Sequence, residues 1–119
     1  MQIRQTAISR NGPPFVIAEI GVNHDGSPEL AAQLVDAAHT AGAHAVKFQL
    51  FEADRLLANS AGLVDYQKTS ADSADDLLKP LELSPEKMAP LIARAHALGL
   101  AAIVTPFSPE LVPACVHMH

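Results

Sequence analysis

The triplet Ser-Pro-Glu occurs three times, at Ser27-Pro28-Glu29, Ser84-Pro85-Glu86 and Ser108-Pro109-Glu110. Each writes the start of a helix. The serine hydroxyl accepts from an unpaired backbone N–H, proline suits the first helical position, and glutamate complements the positive end of the helix dipole. The first two starts have matching stops at Gly42 and Gly99, where glycine adopts the left-handed conformation that ends a helix. Leu30, Leu34, Ala37, Ala38 and Ala41 fall on one face of the first helix; Met88, Leu91, Ile92, Ala95 and Leu98 do so in the second. Pro90 predicts a late start or a bend in the second helix, and Pro113 raises the same question for the third.

Short apolar runs flank these helices: Phe15 to Ile20, Ala45 to Leu50, and Ala101 to Val104. Unalternating apolar runs interleaved with helices predict a parallel sheet buried on both faces, in the order β-α-β-insert-α-β-α with right-handed crossovers. Residues 1–14 read as a lead-in with a small hairpin, and 15–119 as the α/β unit. The insert from Phe51 to Leu83 is longer than a strand-to-helix connection needs, and Ser73-Ala74-Asp75-Asp76-Leu77-Leu78 within it reads as a short capped helix.

Composition narrows the function classes. At 119 residues, about half hydrophobic, the chain has the length of one modest domain. The formal charge of -5 argues against a nucleic-acid partner, which needs a basic face, and leaves any anionic substrate to a few local cations. A single cysteine, Cys115, allows no internal disulfide and suits a reducing cytoplasm; it reads as a small buried hydrophobe. The first residues lack the apolar core of a signal peptide, and no segment is long enough to span a bilayer, so no membrane partner is expected.

Against this background Glu19 stands out, because a strand of Val, Ile and Ala has no use for an unpaired carboxylate. It is expected where the strand opens onto a polar site, or in an ion pair with Lys47 of the next strand. Lys47 is an ammonium among Ala, Val and Phe, suited to holding a phosphate or carboxylate, or to Schiff-base chemistry. Gln49 lies on the same strand face and offers a donor and an acceptor to a sugar hydroxyl or amide, or to a loop backbone. Thr105 ends the third run and can serve an anion or simply the strand. Asn23 and His24 can contact a substrate or shape the turn into the first helix. In parallel α/β folds ligands bind at the carboxyl ends of the strands, where all of these residues fall. His39, His44, His96, His117 and His119 show no metal-ligand spacing and read as surface or helix-end positions, and Asp72, Asp75 and Asp76 as a solvated helix start.

The run Phe15-Val16-Ile17-Ala18-Glu19-Ile20-Gly21-Val22-Asn23-His24-Asp25-Gly26, then Ala45-Val46-Lys47-Phe48-Gln49, Leu81-Glu82-Leu83-Ser84 and Thr105-Pro106-Phe107-Ser108 resemble, in order, the N-acetylneuraminate (sialic acid) synthase family. The resemblance implies the N-terminal portion, about three βα units, of a (β/α)8 TIM barrel. It implies condensation of phosphoenolpyruvate with an N-acylated mannosamine-type sugar or its 6-phosphate, in a cytoplasmic homodimer. A divalent metal, Mn²⁺ or Mg²⁺, is implied as well, with its ligands on later strands rather than in this chain. By the same resemblance Glu19 handles a proton or water, Lys47 and Thr105 bind phosphoenolpyruvate, Gln49 binds the acyl-amino sugar, and Phe107 lines the pocket. Tyr66-Gln67-Lys68 matches a family segment that often continues with asparagine, where Thr69-Ser70 stands here. The expectation is an N-terminal synthase fragment, inactive alone. Two other readings stand beside it: a Schiff-base lyase or aldolase built on Lys47, and a non-catalytic module that pairs its open sheet edge with another chain.

Overall fold

The computed structural model describes residues 1–58 and 76–118. Tyr66 to Ser70, Asp72 to Asp75 and His119 lie outside the described residues, while Asp76, Leu77 and Leu78, the second half of the helix expected from Ser73, are helical. The chain opens with a two-stranded antiparallel hairpin, β1 (Gln2–Ile3) and β2 (Thr6–Ala7), as the lead-in reading expects. A three-stranded parallel sheet follows, formed by β3 (Ile17–Gly21), β4 (Ala45–Leu50) and β5 (Ala101–Pro106) in that spatial order. Helix α1 (Pro28–Thr40) joins β3 to β4, and α3 (Pro85–Ala97) precedes β5. The short α2 (Ala53–Ala58) follows β4, and α4 (Val112–Met118) comes last.

The helix stops form as written. In α1 the N–H groups of Gly42 and Ala43 donate to His39 and Ala38; in α3 those of Gly99 and Leu100 donate to His96 and Ala95. Gly42 and Gly99 hold φ values of 78° and 80°, so both helices end in the same double-bonded left-handed cap. The starts differ from one another. Ser27 Oγ accepts from the Leu30 N–H at 3.1 Å and donates to Glu29. Ser84 makes no such bond to the backbone; its hydroxyl instead serves Glu86 and lowers that carboxyl's pKa, after which the residue's own N–H adds to the effect. Ser108 introduces a single 3₁₀ turn, Pro109–Leu111, before α4 begins.

Neither proline breaks its helix. Pro90 sits on the exposed side of a continuous α3, where the N–H it lacks is not missed by the core, and Pro113 falls in the first turn of α4. The buried face of α1 is Ala31, Val35 and Ala38, rotated from the expected stripe: Ala37 and Ala41 face outward. Apolar residues surround most of this helix, so periodicity alone does not select the face. Packing against α3 selects it, braced outside by Arg94, whose guanidinium donates twice to the Asp36 carboxylate.

One face of the sheet carries the core. Ile20, Val46, Phe48 and Leu50 join Val35, Met88, Leu91, Ile92, Leu111 and Cys115 in a single cluster, with Ala18, Ala102 and Val104 packed against it. Cys115 behaves as the expected small hydrophobe, and its burial pushes the thiol pKa up. The expectation of a sheet buried on both faces is corrected here. Ile17, Glu19, Lys47, Gln49, Ile103 and Thr105 alternate with the core residues and stand outside the cluster. Among the described residues the helices cover one face only. The alternation is hidden in the sequence because Ala45, Ala101 and Ile103 keep the second face apolar where it carries no polar group.

Candidate functional site

The register of the sheet builds the site. Glu19 pairs with Lys47, Lys47 with Ile103, and Gln49 with Thr105, so four polar side chains share the uncovered face toward the carboxyl ends of the strands. Residues paired across neighbouring strands stand side by side on the same face. Lys47 Nζ donates to Glu19 Oε2 at 2.6 Å, a charge-assisted hydrogen bond between groups 32 % and 46 % exposed. The pairing answers the objection to a carboxylate in this strand. It also leaves two of the three ammonium protons without Glu19 as partner, available to a second acceptor.

A β-bulge ends β3. The register slips so that Glu19 faces Lys47 while Gly21 faces Phe48, leaving Ile20 as the extra residue. Gly21 adopts φ 53°, a conformation that favours glycine. A side chain there would stand 3.4 Å from both Glu19 Oε1 and Gln49 Nε2. The bare backbone at Gly21 thus keeps a gap between a carboxylate and an amide. Sequence reading gave Gly21 no role; the signal available was a glycine inside, rather than after, an apolar run.

The turn after β3 engages Asn23 and His24. Asn23 Nδ2 donates to the Ile20 carbonyl at 3.0 Å, leaving the rest of an exposed side chain free. His24 is only 1 % exposed, and its Nδ1 accepts from the Gly26 N–H at 3.0 Å. That bond requires the neutral ring with its proton on Nε2, which has no hydrogen-bond partner among the described residues. Burial lowers the His24 pKa; the nearby Gly21 carbonyl and Asp25 carboxylate oppose that shift. Of the two roles expected for His24, substrate contact and turn, the turn is the one its Gly26 bond serves.

Phe107 lies just past β5, half-exposed, with its N–H donating to the Leu50 carbonyl and its ring meeting Phe51 edge-on at 6.1 Å. The two rings meet just past the ends of β4 and β5, two residues beyond Gln49 and Thr105 along their strands. His44 lies at the opposite end of β4, where it accepts from the Val16 N–H and stacks on Phe15. No group of three His, Cys, Asp or Glu side chains able to hold a metal ion occurs among the described residues. No described helix is long and apolar enough to cross a membrane.

The model of the NeuB family matches residues 34–119, most of the chain. The chain belongs to that family. Lys47, Gln49, Thr105 and Phe107 lie within the matched stretch, and Glu19, Asn23 and His24 precede it. Over 101 residues this NeuB-family chain is 43 % identical to N,N'-diacetyllegionaminic acid synthase of Legionella pneumophila, covering 82 % of this chain and 28 % of that protein. It is 41 % identical over 91 residues to the spore coat polysaccharide biosynthesis protein SpsE of Bacillus subtilis, covering 76 % and 24 %. The crystal structure of N-acetylneuraminic acid (sialic acid) synthetase from Leptospira borgpetersenii in complex with citrate superposes with a TM-score of 0.79. The match is 26 % identical and covers 99 % of this chain and 38 % of that one. The NeuB-family chain therefore spans well under half the length of the proteins it matches.

Proposed function

We propose that this chain carries the phosphoenolpyruvate-binding floor of a nonulosonic acid synthase. The reaction joins C3 of phosphoenolpyruvate to the aldehyde carbon of an N-acylated mannosamine-type sugar, or of its 6-phosphate. Water then adds at C2, and the tetrahedral intermediate expels phosphate. In this reading the sheet begins a (β/α)8 barrel whose uncovered face is the lumen, and the enzyme works in the cytoplasm as a homodimer. The observation that carries the proposal is the Glu19–Lys47 ion pair beside Gln49 and Thr105 on one face.

Each residue contributes by its chemistry. Lys47 holds the phosphate or carboxylate of phosphoenolpyruvate through the ammonium protons that Glu19 leaves free, and Thr105 adds a hydroxyl donor from the neighbouring strand. Glu19, fixed by Lys47, takes the proton from the attacking water or orients that water at C2. Gln49 meets the acylamino group of the sugar with its amide, and Phe107 lines the wall beyond. Asn23 offers its remaining amide oxygen at the rim. Polarisation of the aldehyde is assigned to none of these residues.

Schiff-base chemistry at Lys47 fits the geometry less well. A nucleophilic amine needs a free lone pair, whereas Lys47 Nζ donates to a carboxylate at 2.6 Å. The test is a calorimetric titration of the chain with phosphoenolpyruvate. Saturable binding is expected, weakened about tenfold or more in Lys47→Met, as for loss of a charged hydrogen bond. Equal affinity in the variant would remove Lys47 from the site, and borohydride trapping of a carbonyl adduct on Lys47 would favour the lyase reading.

A further inference from the structure

The connection that leaves β4 comes back through Lys79 to Ser84, a 3₁₀ turn at Lys79–Leu81 followed by irregular backbone, and the fastening of this segment is unusual. Helix α2 starts at Ala53, but the residue before it is Glu52, whose carboxylate is occupied by Arg55. The helix therefore lacks the Ser, Thr, Asp or Asn that ordinarily satisfies a first-turn N–H. Glu82 supplies the missing acceptor from 29 residues away: its Oε1 takes the Ala53 N–H at 2.5 Å. Lys79 Nζ reaches Asp54 of the same helix at 3.1 Å.

The same segment presses on the other strand exit. A Cβ built on Gly26 would collide with the Pro80 carbonyl oxygen, so the segment lies directly against the turn that buries His24. Leu83, one residue on, is sunk in the core. Residues 79–83 thus bridge the exits of β3 and β4. Beneath them Leu50, Phe51, Glu52, Leu83, Ser84 and Leu111, with Glu82 itself, line a cavity of about 150 Å³.

We infer that Glu82 is a positioning residue: by capping α2 across the chain it fixes Phe51, and through Phe51 the ring of Phe107, as the aromatic wall of the sugar side of the site. Phe51 has little freedom of its own, being buried between Leu50 at the end of β4 and the α2 start that Glu82 holds. The inference rests on the proposed synthase reading for its ligand, but the latch itself is a property of the fold. Without the Glu82 carboxylate the Ala53 N–H loses its partner, α2 frays from its first turn, and the Phe51–Phe107 contact loosens while Lys47 and Glu19 stay in place.

The test uses the 119-residue chain with para-fluorophenylalanine incorporated. Glu82→Ala should speed hydrogen exchange at the Ala53 amide by about tenfold or more, as for loss of a charge-assisted bond. It should also shift the Phe51 and Phe107 fluorine resonances and weaken N-acetylmannosamine binding, with phosphoenolpyruvate affinity unchanged. Glu82→Gln, which keeps an acceptor oxygen, should return each readout most of the way to the parent's. Should the alanine variant fail to fold, Glu82→Asp, too short to reach Ala53, carries the same comparison. Exchange and fluorine spectra like those of the parent would overturn the latch. If the parent binds neither ligand but the exchange and fluorine effects appear, the latch stands and the synthase reading falls.

Discussion

The two faces of the sheet are written by alternate residues of the same strands, yet they follow opposite rules. On the covered face, Val46, Phe48 and Leu50 vanish into a single core with α1 and α3. On the uncovered face, Lys47 and Gln49, their immediate neighbours, remain partly exposed and meet Glu19 and Thr105 across the register. In the proposed reading, stability and ligand binding are thereby separated by one peptide unit. A change on one face should be felt as lost folding energy, and a change on the other as lost ligand.

The largest effect should come from breaking that separation at adjacent positions. Phe48→Ala removes a fully buried ring and should cost about 3–5 kcal/mol, enough to threaten the fold. Lys47→Met, one residue earlier, removes half of a partly exposed ion pair and should change stability by about 1 kcal/mol or less. Urea unfolding of both variants decides the matter; similar losses would mean the faces are not independent.

A smaller loss, on the order of 1–3 kcal/mol, is expected from Gly26→Ala, because a Cβ there meets the Pro80 carbonyl and the residue holds φ 70°. Its unfolding midpoint in urea measures the loss, and a value equal to that of the parent would remove the segment 79–83 from the bridge between the strand exits.

The smallest effect concerns acid. His24 has a folded pKa below its ordinary value of 6.5, chiefly through burial, so the unfolded chain binds the proton more readily. Stability should be fully present above about pH 6.5 and decline as pH falls below it toward the lowered folded pKa. Thermal melts at about pH 7.5 and about pH 5.5, in the parent and in His24→Gln, measure this; an equal acid response in the two chains would remove His24 as its source.

The sequence made some of this architecture legible and hid the rest for definite reasons. The glycine stops of α1 and α3 could be read because a left-handed cap is a local event that one residue type dominates. The face of α3 was legible because Met88, Leu91, Ile92 and Ala95 have polar neighbours; that of α1 was not, because its apolar residues encircle it. The Glu19–Lys47 pair was anticipated from the cost of a lone carboxylate in an apolar strand. Glu82 passed without a role, although an acid between Leu81 and Leu83 was a signal of the same kind. Its partner is a backbone N–H, which leaves no trace in side-chain chemistry.

By itself, then, the sequence determined the element order, the helix ends, most of the core and the residues on which the chemistry is proposed to rest. All of these depend on contacts within a few residues or on the general aversion of charge to burial. Only the tertiary structure decided that, among the described residues, helices cover one face of the sheet, that a bulge at Ile20 opens a gap over Gly21, and that Glu82 caps a helix 29 residues away. Those depend on strand register and on long-range closure. Neither is encoded in local periodicity, because each is settled by which distant surfaces pack together.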